Sequence, residues 1–162
     1  MRLRLVMLLT MLALMAVPSV FAGGKRDGKA AVTFHMQTEA TDNPKMIFPQ
    51  EVSGRTRYFL RMPEVATKDV VSFNPFPSDL GGGDYGMLIR LKSNAARRLS
   101  AITAANQGRW MVAQVNGRVV DGVLIDKQID DGVLVIWKGL TMADVETFDK
   151  AFPRVGQEGK KN

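Results

Sequence analysis

A single α+β domain, its sheet antiparallel or mixed and accompanied by two helices, is what this sequence predicts. Three observations predict it. Short runs rich in Val, Ile and aromatic residues alternate with polar positions at period two, the spacing of half-buried strands. Two longer segments, opening at Ser93 and Thr141, place apolar residues at helical spacing instead. Between them, Asn116-Gly117 and Asp131-Gly132 hinge short apolar runs, and Asn-Gly is a strong hairpin signal.

The elements follow in order. Ala31 to Thr38 predicts a strand with Val32, Phe34 and Met36 on its buried face and Thr33, His35 and Gln37 turned to solvent. Glu39 to Gly54, with Asn43-Pro44 and Phe48-Pro49, predicts a loop pinned to the core by Met46, Ile47 and Phe48. Arg57 to Met62 is a second strand, ended by Pro63, and Lys68 to Asn74 a third, stopped by Pro75 and Pro77, because proline has no N–H for a ladder. Gly81 to Asp84 is a turn into a strand at Tyr85 to Lys92. Its glycines lack the following Lys-Ser/Thr pair and the immediate helix that a phosphate loop requires.

Ser93 is placed to cap the first helix, with Ala95, Leu99, Ile102 and Asn106 on one face and Gly108 ending it in a left-handed turn. Trp110 to Val115 and Arg118 to Asp121 form the hairpin across Asn116-Gly117. Val123 to Ile125 continues apolar, and Gly132 to Trp137, rich in β-branched residues, suits an inner strand. Thr141 to Asp144 resembles a capping box, after which Val145, Phe148 and Phe152 form the buried stripe of a helix closed by Pro153.

The chain ends carry different information. Arg2 and Arg4, the apolar run Leu5 to Val17, and small residues at Val20 and Ala22 have the layout of a secretory signal peptide, residues 1–22. The run falls short of the roughly 20 residues needed to span a bilayer, so no stable membrane span is expected after cleavage. Residues 23–29 are a charged, glycine-rich leader, 30–153 the single domain, and 154–162 a disordered tail. Removing Arg2 and Arg4 leaves +4 of the net charge of +6, a modest excess that is no nucleic-acid signature. With no cysteine, disulfides, thiolate metal sites and thiol nucleophiles are excluded. An exported protein, periplasmic or extracellular, is expected.

No catalytic constellation emerges. His35 is the only histidine and sits mid-strand, and zinc would need three carboxylates beside it, which is not its habit. Asp121, Asp126, Asp130 and Asp131 lack the alternate spacing of a calcium loop. Two carboxylates could serve a glycosidase with Trp110 or Trp137 stacking a sugar, although tryptophans beside Val and Ile runs are usually core or core-rim. Arg55, Arg57 and Arg61 with Lys68, and Arg90 with Lys92, form solvated faces rather than a nucleic-acid surface. No cofactor and no metal are expected.

The stretch 85–153 resembles the head subdomain of the first periplasmic domain of SecD/SecDF, the accessory subunit of bacterial protein export. A strand leads to a helix ending Thr103-Ala-Ala-Asn106-Gln-Gly108, an apolar strand and the turn Asn116-Gly117-Arg118-Val119-Val120 follow, then Ile125, Ile129 and Gly132, and the helix start Gly139-Leu140-Thr141. Where that family commonly has Ser-Ala-Pro after the turn, this chain has Asp121-Gly122-Val123, and Gln128 replaces the later proline. The resemblance implies a ferredoxin-like head and a way of touching polypeptides, without the family's transmembrane, proton-coupled part. Its matched residues (Thr103, Asn106, Gly108, Asn116, Gly117, Gly139 and Thr141) are caps and turns. The function so implied is a non-enzymatic binding module for polypeptide or an envelope protein partner, with strand addition at a sheet edge as its physical mode. The rival is a small envelope hydrolase or glycan-binding protein using the Asp121–Asp131 carboxylates and an exposed tryptophan.

Overall fold

The computed structural model describes residues 29–79 and 82–159. The signal peptide and most of the leader expected at residues 1–28 lie outside them. Among the described residues nine strands, all paired antiparallel, and two α-helices, with one 3-10 turn at Thr67–Asp69, form the α+β domain that the sequence predicts. The strands divide between two sheets. The larger contains β1 (Val32–Thr38), β2 (Ile47–Val52), β3 (Arg55–Leu60), the two-residue β4 (Val65–Ala66), β7 (Trp110–Val115) and β8 (Arg118–Leu124), in the order β2-β3-β1-β7-β8 with β4 beside β1. The smaller has the order β5-β6-β9, from β5 (Val70–Pro77), β6 (Tyr85–Leu91) and β9 (Val133–Leu140). The helices are α1 (Ser93–Ala105) and α2 (Met142–Ala151).

One core joins both sheets and both helices. Val32, Phe34 and Met36 of β1 meet Met111, Ala113 and Val115 of β7, Phe73, Met87, Ile89 and Ile136 of the smaller sheet, Leu99 of α1 and Phe148 of α2. Burying side chains of this size stabilises by roughly 1.5–3 kcal/mol each.

Four expectations are corrected. The loop expected over Glu39 to Gly54 contains β2, which pairs with β3 across the two-residue turn Ser53-Gly54, both at positive φ. This hairpin joins β1 through only two residue pairs, Gln37 with Phe59 and Thr38 with Tyr58, and lays Phe48, Val52 and Phe59 against Val112, Trp110 and Val119. His35, expected in solvent, is therefore 5% exposed. Its Nδ1 lies 2.8 Å from the Leu60 carbonyl, its Nε2 2.8 Å from the Thr33 hydroxyl, and its ring meets Phe48 edge-on at 5.3 Å.

Second, β5 runs through Pro75 and Pro77 instead of stopping before them. β5 is an edge strand, and Phe73 turns its N–H and C=O outward, to Pro153 and Val155. Antiparallel alternation places Pro75 and Pro77 outward too, where no ladder N–H is missed. Third, the tail expected to be disordered from 154 docks through residue 158: Arg154 bridges Phe73, stacks on its ring at 4.7 Å and grips Asp149, while the buried Ser72 hydroxyl donates to Glu158 at 2.8 Å. Fourth, Ser93 is the first residue of α1, following Lys92 at the N-cap position, and provides no side-chain cap.

Burial lowers the His35 pKa from its ordinary 6.5, against the raising effect of its bond to Leu60. The unfolded chain then binds that proton more readily, so this contribution to stability is complete above about pH 6.5 and is lost as pH falls from there towards the folded value. Urea unfolding between about pH 8 and pH 5 should show a falling midpoint, and His35→Phe should remove that part of the pH dependence.

Candidate peptide-binding slot

Apart from the two-residue β4, which pairs only with β1, four strands lie at sheet edges: β2 and β8 in the larger sheet, β5 and β9 in the smaller. They are not equivalent. β2 contains Pro49, β5 contains Pro75 and Pro77, and β5 is also covered by residues 153–155. β8 and β9 contain no proline and lie beside each other. They touch at one end, where the Trp137 N–H donates to Asp121 at 2.7 Å and where a Cβ on Gly139 would come within 2.5 Å of the Val120 carbonyl oxygen.

Away from that contact, the strands border an apolar slot of about 210 Å³. Phe34, Met111 and Ala113 contribute from the larger sheet, with Leu124 and Ile125 on one side and Val135 and Trp137 on the other. The connection between the strands adds Ile129, whose N–H is held by the Thr103 hydroxyl at 2.9 Å. Leu124 and Trp137 are exposed at the slot, at 44% and 58%. The edge bonds set the backbone polarity. Ile125 pairs with Gly108 and Arg109, and Leu91 pairs with Gly132. By antiparallel alternation, Leu124 on β8 and Val135 on β9 turn their N–H and C=O away from their own sheets. An edge with such groups and an adjoining apolar pocket is the arrangement used for strand addition.

Each of the cap and turn residues singled out in the sequence has a local task. Thr103, fully buried, donates from its hydroxyl to Leu99 and accepts from Ile129, tying α1 to the slot's border. Asn106 bonds back to Ile102, and Gly108, at φ 81°, donates to Ile125 at 2.7 Å. Asn116 and Gly117, at φ 50° and 80°, turn β7 into β8, and Asn116 reaches Ala31 and Asp144. Gly139, at φ 84°, donates to Asp84 at 2.6 Å. Thr141 and Asp144 form the capping box of α2, and Asp144 also receives Arg118 at 2.7 Å. Burial pushes the Asp144 carboxyl up, but bonds from Thr141 and Asn116 and the Arg118 charge outweigh it and hold it below the usual 3.8.

The four candidate acids are dispersed. Asp126, Asp130 and Asp131 are exposed, and Asp131 accepts from Val133 in the turn before β9. Asp121 is buried, and its two oxygens accept from the Gly122 and Trp137 N–H groups; burial raises its pKa, against the lowering effect of those bonds and of Lys138. Among the described residues no group of three or more His, Asp or Glu could hold a metal. None of their helices is long and apolar enough to cross a membrane. The inner strand expected at Gly132 to Trp137 is the edge strand β9, which is why Trp137 is exposed and not core, whereas Trp110 is half-buried under Arg57. Edge position depends on partners distant in sequence, so no local signal marks Leu124, Val135 and Trp137 as slot residues.

No protein-family model matches this sequence, and no curated protein does. Solved structures do match. One is described as a membrane component SecDF that enhances protein export: TM-score 0.53, 17% identity, over 77% of this chain and 64% of that one. Another, SecDF in a super-membrane-facing form, gives a TM-score of 0.54 at 16% identity, over 78% of this chain and 19% of that one. The chain thus spans under two thirds of the length of either. The resemblance read from the sequence is one of fold: this chain is an α+β domain of the kind found within SecDF.

Proposed function

We propose that this protein is an exported, non-enzymatic binding module that holds extended polypeptide at the slot between β8 and β9. The observation that carries the reading is the asymmetry of the edges: prolines occupy β2 and β5, whereas β8 and β9 are proline-free and border an apolar slot. An extended segment would pair its backbone with Leu124 or Val135 and insert one apolar side chain over Met111 and Ile125. Such pairing is tolerant of sequence, because the backbone supplies affinity and the pocket supplies only a preference for apolar residues. The fold shared with SecDF supports a place in protein export, and the sequence of residues 1–22 supports delivery to the periplasm or cell exterior.

The test is fluorescence anisotropy with labelled unfolded peptides of alternating apolar residues. Leu124→Arg puts a charge at the slot, and Val135→Pro removes an outward N–H without touching the ladder to β6. Each should weaken binding at least about tenfold, equivalent to ~1.4 kcal/mol, with the unfolding midpoint kept. Peptide binding that both variants leave unchanged would sink the slot. Failure of the unaltered protein to bind any such peptide at high micromolar concentration would sink the function.

A further inference from the structure

Beyond the slot, on the other side of the β8–β9 contact, lie two clefts of mixed polar and apolar lining, and both are lined by Asp121 and Lys138. One, of about 430 Å³, extends towards the β2–β3 turn and includes Trp110, Gln50 and Ser53. The other, of about 330 Å³, extends towards the end of β5 and includes Trp137, Phe76 and Asp79. Each cleft therefore contains one of the protein's two tryptophans. The indole of Trp137 is held edge-to-face by Phe76, with centroids 6.2 Å apart, and is 58% exposed.

The chemistry of the linings narrows the ligand. Asp121, Asp79 and Glu51 would repel an anion, and Lys138, with Arg57 over Trp110, offsets them only in part. Charged and amide groups beside each ring make a wholly apolar ligand costly, because their hydration would be lost without replacement. The linings suit a neutral molecule that is rich in hydroxyls and has flat C–H faces. Such faces stack on the electron-rich indole face, and the hydroxyls exchange bonds with Gln50, Ser53, Asp79 and Lys138. Asp121 is 7% exposed and both its oxygens accept from backbone N–H groups, so it shapes the wall between the clefts rather than bonding the ligand.

We propose that these two clefts form a binding site for a linear saccharide, with Trp137 as the stacking platform and Trp110, whose ring has Arg57 over one face, bordering a neighbouring sugar unit. The site is independent of the peptide slot apart from Trp137, which borders both. It is a binding site and not a hydrolytic one: both Asp121 oxygens are already engaged by backbone N–H groups.

Nuclear magnetic resonance tests the proposal with little ambiguity, since two tryptophans give two indole N–H signals. The ¹⁵N-labelled protein is titrated with chitohexaose and cellohexaose, with glycerol as control. Saturable shifts of both indole signals are expected with at least one hexaose and none with glycerol. Asp79→Ala and Lys138→Ala should each weaken binding about fivefold, the effect of losing one hydrogen bond, whereas Leu124→Arg should leave saccharide binding unchanged. No saturable shift with either hexaose, or equal shifts with glycerol, would overturn the site. Because Leu124→Arg affects only the slot, failure here and failure of peptide binding are read separately.

Discussion

Replacing Gly139 by alanine is expected to destabilise the domain by about 2–4 kcal/mol, measured as a lower urea midpoint with an unchanged slope. Two costs combine. The backbone sits at φ 84°, in the left-handed region, where an L side chain adds roughly 1–2 kcal/mol. The new Cβ would also meet the Val120 carbonyl oxygen at 2.5 Å, a backbone atom that cannot rotate aside, and overpacking of this kind costs about 1–3 kcal/mol. Relief requires β8 and β9 to separate where Trp137 donates to Asp121, so the indole signal of Trp137 should shift along with the loss of stability. A midpoint within about 0.5 kcal/mol of the unaltered protein would mean that this approach is not tight in solution.

The second large effect is expected from Asp144→Ala, again about 2–4 kcal/mol. Asp144 is 6% exposed and serves three elements together: it closes the capping box of α2, accepts from Asn116 in the β7–β8 turn, and pairs with Arg118 at the start of β8. Loss of a cap costs about 1 kcal/mol, and the bonds lost to the half-buried Asn116 and to the Thr141 hydroxyl cost about 0.5–1.5 kcal/mol each. Arg118 is half exposed, so its ion pair adds little to that sum. Because the folded pKa lies below the unfolded 3.8, the carboxylate's contribution is present above about pH 4 and fades as pH falls through the folded value. Asp144→Asn should therefore reduce stability at neutral pH and lessen its decline below pH 4. Equal acid sensitivity in the two proteins would assign the decline to other carboxylates.

Local chemistry was legible in the sequence. Asn116-Gly117, Gly108 and the Thr141 box fix positive φ or bond an orphan N–H through their own atoms, and they were placed correctly. What depended on partners was not. Pro49 hid β2, although Ser53-Gly54 between two apolar-patterned runs is a two-residue hairpin signal that could have revealed it. Without that hairpin, His35 has no cover and reads as solvent-facing. Pro75 and Pro77 read as stops because proline breaks a central ladder; only the sheet order shows their nitrogens facing outward. The slot was illegible for the same reason. Leu124 and Trp137 look like strand residues of any kind until β8 and β9 are known to be edges.

The outer prolines and the docked residues 153–158 bear on behaviour at high concentration. Stacking of copies into fibrils requires a bare strand at each flank, so that every copy offers one flank and accepts another. Here the flanks at β2 and β5 are blunted, and the two bare strands face each other across a narrow gap. On the proposed function a single extended chain would enter that gap, whereas a second folded copy would have to bring a whole sheet flank into it. The arrangement that, on the proposed function, would admit a client keeps the domain from becoming its own client, and crowded solutions of it should stay free of thioflavin-positive fibres.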